Sequence, residues 1–164
     1  MDDRTAPNGP SGTTTRASGQ LLLAAAVLVV AALTLTPVGT GWAWGAPLAE
    51  LRWYATGLDS PATVLQLLGN LCLLAVPAGL VVHLWPAAGR FSRLVALAAG
   101  TAAGIELLQW TLSLGRVVSP LDAALNAAGA VVAGLLVRQV QLSTAAANPV
   151  AASKRAGRCN QEPL

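Results

Sequence analysis

Charge is scarce in this chain: ten Lys and Arg and seven Asp and Glu stand among 164 residues, against a hydrophobic share of 54%. That balance lies outside the soluble globular range and makes a membrane protein the first expectation. Cysteine is nearly absent. Cys72 lies inside an apolar run and Cys159 close to the C-terminus, so neither a disulfide framework nor a Cys-x-x-Cys metal site can be written. The one histidine, His83, sits beside Trp85 and far from any acidic residue, which leaves no metal triad. It also leaves no base to activate Ser113 or Ser119 as a nucleophile. A basic stripe with interleaved aromatics is missing as well, which argues against nucleic acid as a partner. The composition calls for no metal and no cofactor; the partner it does imply is membrane lipid.

Long apolar runs are what the chain has in quantity. The stretch from Leu21 to Trp44, and runs from about Pro61 to Trp85, Ser92 to Leu114 and Pro120 to Val137, are each long enough to cross ~30 Å of hydrocarbon. The expected fold is an all-α membrane protein, a four-transmembrane-helix bundle with disordered termini. Residues 1–19 form one tail, 20–137 the membrane domain and 138–164 the second tail, both tails being low in apolar periodicity. A signal peptide competes for the first run, with Ala43 and Gly45 at the minus-three and minus-one positions, but the bulky Trp44 crowds that site.

Orientation follows from the cations. With both termini cytoplasmic, Arg4, Arg16, Arg90, Arg93, Arg138, Lys154, Arg155 and Arg158 lie inside, and only Arg52 and Arg116 outside. Trp42, Trp44, Trp53 and Trp110 then share the outer interface, where amphipathic rings prefer to sit. Small residues point to close packing of the third and fourth spans: Gly100 and Gly104 form a GxxxG, and Gly129, Ala130 and Gly134 thin the fourth.

Against this background "GIELLQWTLSLGRVVSPLDAALNAAGA" is unusual, for it places Glu106, Gln109, Arg116, Asp122 and Asn126 within two spans and their short loop. Counted outward from Gly115, the four intramembrane side chains fall within ~8 Å of one another in depth at 1.5 Å per residue. Asn70, on a span that enters from the same side, reaches the same level. A carboxylate facing lipid costs at least ~2.5 kcal/mol on insertion scales, so these groups are expected to face each other around a polar pocket, with Arg116 at its rim neutralising one carboxylate.

These residues carry a resemblance. Ile105, Glu106, Gln109, Arg116, Asp122, Asn126 and Gly129 reproduce the I-E-x-x-Q, loop arginine and D-x-x-x-N-x-x-G of the VanZ-like family of small integral membrane proteins. Asn70, Pro77 and Gly79 resemble that family's other signature, and the similarity covers about residues 65–137. The resemblance implies an envelope membrane protein whose namesake lowers susceptibility to the lipoglycopeptide teicoplanin. Three readings stay open on the residues themselves. The pocket can bind a lipid-linked or lipopeptidic amphiphile, it can act as a small intramembrane enzyme on a lipid head group with Glu106 as general base, or it can serve as a structural or transport element.

Overall fold

The computed structural model of the chain describes residues 11–147. Helix α1 spans Ser11–Leu35 and is followed by strand β1, Gly41–Trp44, and helix α2, Pro47–Thr56. Then come α3, Pro61–Leu73, α4, Ala75–Leu84, and a 3-10 turn, Pro86–Gly89. Helix α5, Phe91–Thr111, strand β2, Leu114–Val118, and helix α6, Pro120–Ala147, complete the order. Four helical segments among the described residues are long and apolar enough to cross a membrane: Thr15–Leu35, Pro61–Leu84, Phe91–Thr111 and Pro120–Ala147. The fold is the all-α, four-span class expected from the runs.

Several boundaries differ from that expectation, each for a local reason. Helix α1 begins at Ser11, because a helix nucleated in the apolar run propagates back through polar residues until a breaker intervenes, and Pro10 is the last one before it. It ends at Leu35, two residues before Pro37, whose ring disfavours helical backbone at the preceding position. What was expected as the end of the first helix is therefore strand β1. Helix α6 runs ten residues past Val137, through a segment free of Gly and Pro. The expected disorder of 1–10 and 148–164 lies outside the described residues. The second span is broken at Leu74, three residues before Pro77, which has no amide hydrogen to give and whose ring opposes the carbonyl four residues back.

Helices α1 and α5 are the first and third spans and run the same way, so the segments leaving them pair in parallel. Trp42 lies opposite Arg116, Ala43 opposite Val117 and Trp44 opposite Val118, with an irregularity between Gly41 and Trp42. The Val38 amide donates to the Leu114 carbonyl and the Gly45 amide to the Val118 carbonyl, each at 2.9 Å. Gly115 turns at a φ of +71° with its backbone against Gly39, a conformation and a closeness that only glycine tolerates. The rings of Trp42 and Trp110 meet edge to face, 6.2 Å apart, beside this clasp.

Helix α6 is the hub, packing on α3, α4 and α5. Its buried residues, Asn126, Ala130 and Gly134, recur every four positions, and α5 answers with Leu94, Ala98, Ala102, Ile105 and Gln109. Leu74, Ala98, Ala102, Ile105 and Ala130 form one core. The expected packing of Gly100 and Gly104 on the fourth span is corrected here: a Cβ on either would meet no atom within 4 Å. Both stand two residues on from Ala98 and Ala102, which at 3.6 residues per turn places them on the far side of the helix. Gly129 is needed where α6 meets α3, since a Cβ there would overlap the Leu71 carbonyl, and Gly134 receives the Leu94 side chain.

Candidate functional site

The polar side chains gather at two helix ends. The first is the N-terminus of α6. Ser119 precedes it and is fully buried; its hydroxyl accepts the Asp122 amide hydrogen at 3.1 Å, an N-cap with Pro120 at the first helical position. Glu106 Oε2 accepts the Ser119 amide hydrogen at 2.8 Å, and the Ser119 hydroxyl donates to Glu50 Oε2 at 2.6 Å. Asp122 Oδ1 accepts from Asn70 Nδ2 at 2.5 Å and from the Tyr54 hydroxyl at 3.2 Å. Three carboxylates thus surround the positive end of the α6 macrodipole, the end that favours them.

The second cluster is the C-terminus of α1, where backbone carbonyls lack helical partners. Gln109 Nε2 donates to the Thr34 carbonyl at 3.0 Å. Arg116 Nη2 donates to the Leu33 and Thr36 carbonyls at 2.9 and 3.1 Å. The expectation that Arg116 neutralises a carboxylate is corrected accordingly: its guanidinium turns to α1, because a cation at a helix C-terminus satisfies both the orphan carbonyls and the dipole.

Between the two ends lies a cavity of about 610 Å³, lined by Asn70, Glu106, Gln109, Arg116, Asp122 and Asn126 together with Gln66, Thr34 and the apolar Leu33, Gly69, Leu73 and Ile105. All six side chains singled out from the sequence border it. Asn126 is its most deeply placed polar group, 2% exposed, and its Oδ1 is the one buried side-chain oxygen or nitrogen among the described residues without a hydrogen-bond partner. Such an orphaned acceptor costs ~1–3 kcal/mol.

Glu50, Tyr54 and Ser119 belong to the network but were not among the residues expected to line the pocket, Ser119 having been weighed only as a nucleophile. For Ser119 a signal existed, the Ser-Pro-Leu-Asp run before an apolar helix, which is an N-cap signature. Glu50 and Tyr54 come from α2, and no local pattern links that helix to residues nearly seventy positions away. Tyr54 is 7% exposed. Its phenol is pushed up to about 12, first by burial and then by the Asp122 charge and hydrogen bond. The Ser119 hydroxyl donates a hydrogen bond to Glu50 and accepts one from the Asp122 amide, so it is engaged as a cap and not presented to the cavity as a nucleophile.

Four helices long and apolar enough to cross a membrane, with a polar cavity between helix ends, define a small multi-pass membrane protein. The VanZ/LLP1 family model matches residues 13–141, and the chain belongs to that family. The match takes in α1 as well as the stretch that carried the resemblance. No curated protein and no solved structure matches the chain.

Proposed function

We propose that this protein is a cell-envelope accessory factor, with both termini cytoplasmic, whose outward cavity takes the polar or cationic head of a lipid-linked or lipopeptidic amphiphile. The observation that carries the reading is Asn126 Oδ1, a buried acceptor without a partner on the wall of a cavity that Glu106 and Asp122 also line. A head group bearing N–H or ammonium hydrogens meets the Asn126 acceptor and the two carboxylates on the cavity wall. The orientation is supported by the eight cations that fall on the side of the termini against Arg52 and Arg116 on the other.

Teicoplanin susceptibility tests it, in a host lacking the protein and carrying either wild type or Glu106→Gln at matched membrane levels. Protection by wild type and none by the variant is the expected result. One observation favours a purely structural reading, namely that Glu106 holds the Ser119 amide at the start of α6. Glutamine keeps an acceptor for that bond while removing the charge, so full protection by Glu106→Gln would establish the structural role and end the binding one.

A further inference from the structure

An apolar groove adjoins the polar cavity. The groove, of about 420 Å³, lies between α1 and the second span, walled by Ala26, Val29 and Val30 on one side and Cys72, Val76 and Pro77 on the other. Leu33, Gly69 and Leu73 line both spaces, so the two adjoin across these three residues. Helix α1 packs mainly on α4 and α5, and the groove occupies its seam with α3. Gly69 stands at the junction, where a side chain would meet no atom within 4 Å. Glycine inside a helix costs ~0.5–1 kcal/mol relative to alanine. Here it brings no helix close, and its effect is to leave the junction open.

Resting on the head-group reading above, we infer that cavity and groove form one site for a single-chain cationic amphiphile, which enters sideways from the bilayer through the seam between α1 and α3. The head lies among Glu106, Asp122 and Asn126, and the chain follows α1 from Leu33 down to Ala26, ~10 Å at the helical rise. Charge complementarity sets the head: Glu106 and Asp122 line the cavity, and Arg116, the one cation among the described residues that also lines it, gives its guanidinium hydrogens to the carbonyls of α1. The groove sets the tail. Hydrocarbon moving from lipid into an apolar groove gains little, so the head supplies most of the affinity and the groove supplies the path and the register.

Cys72 reports on the groove directly. In Cys159→Ser protein, where it is the sole thiol, its alkylation by N-ethylmaleimide is followed in phosphatidylcholine nanodiscs with dodecylamine, dodecanol or ethylamine. Dodecylamine is expected to slow the reaction about tenfold, the effect of 1.4 kcal/mol of occupancy, and the other two to leave it unchanged. Gly69→Leu is expected to abolish the protection and Gly69→Ala to keep it; Ala26→Leu blocks the opposite wall should the leucine at 69 impair folding. Unprotected Cys72 in wild type that still binds dodecylamine by calorimetry overturns the groove and leaves the head-group reading standing. Equal protection by dodecylamine and dodecanol, undiminished in Glu106→Gln, overturns the head-group reading and with it the cationic class of ligand.

Discussion

Tyr54 is the only tyrosine in the chain, which makes one residue's ionisation directly readable. Its phenol is raised from the ordinary 10.0 to about 12 by burial and by the neighbouring Asp122 carboxylate. A group whose folded pKa is raised contributes stability that is complete below the unfolded value and lost as pH climbs through the folded one. The stability contributed by protonated Tyr54 is therefore expected to hold up to about pH 10 and to disappear between about 10 and 12. Tyrosinate absorbance in detergent should show a midpoint near 12 for the folded protein and near 10 after denaturation. Asp122→Asn should lower the folded midpoint only in part, since burial is the larger cause. Asn70, Glu106, Gln109, Asp122 and Asn126 were legible because a polar side chain in an apolar run has to be explained. The role of Arg116 was not, because its carbonyl partners on α1 carry no side-chain signature and every residue supplies one. Glu50 and Tyr54 were hidden for a different reason: between two apolar runs, polar residues are unremarkable.

At the level of elements, spans were legible as runs, while breaks and strands were set by single prolines and by distant partners. Strand β1 reads as a continuation of apolar helix until its partner β2 is known, and α2 reads as a polar loop. The glycines show how far a spacing motif can mislead. Gly100 and Gly104 have the GxxxG spacing but face away from the bundle, whereas Gly129 lies against the Leu71 carbonyl. Gly129→Ala is accordingly expected to destabilise by ~1–3 kcal/mol through forced separation of α6 from α3. Gly100→Ala and Gly104→Ala should be neutral or stabilising by up to ~1 kcal/mol, the gain in helix propensity. Thermal retention of monodisperse protein in detergent checks the three side by side. A loss of stability at Gly100 or Gly104 matching that at Gly129 would contradict the packing described.

For the molecule as a whole, the cation distribution makes a prediction about sidedness. In a Cys72→Ser background, Ser113→Cys is expected to react with a membrane-impermeant maleimide on intact cells, and native Cys159 only after permeabilisation; the reverse pattern would invert the topology. The clasp between β1 and β2 also has a mechanical meaning. Helix α1 is fastened at its C-terminal end by the strand pair, by Gln109 on the Thr34 carbonyl and by Arg116 on those of Leu33 and Thr36. Thr34, at that fastened end, is its only buried side chain among the described residues; further along, Val30 packs against the core and Gly19 leaves room for the Leu84 side chain. A rod clamped by backbone hydrogen bonds at one end and resting on apolar side chains near its middle is held in register at the clamp and yields first where apolar contacts hold it. The clamped end borders the cavity with the carboxylates, while the stretch from Ala26 to Val30 borders the apolar groove, so the seam can yield to an entering chain of the kind proposed without disturbing the polar groups at the clamp.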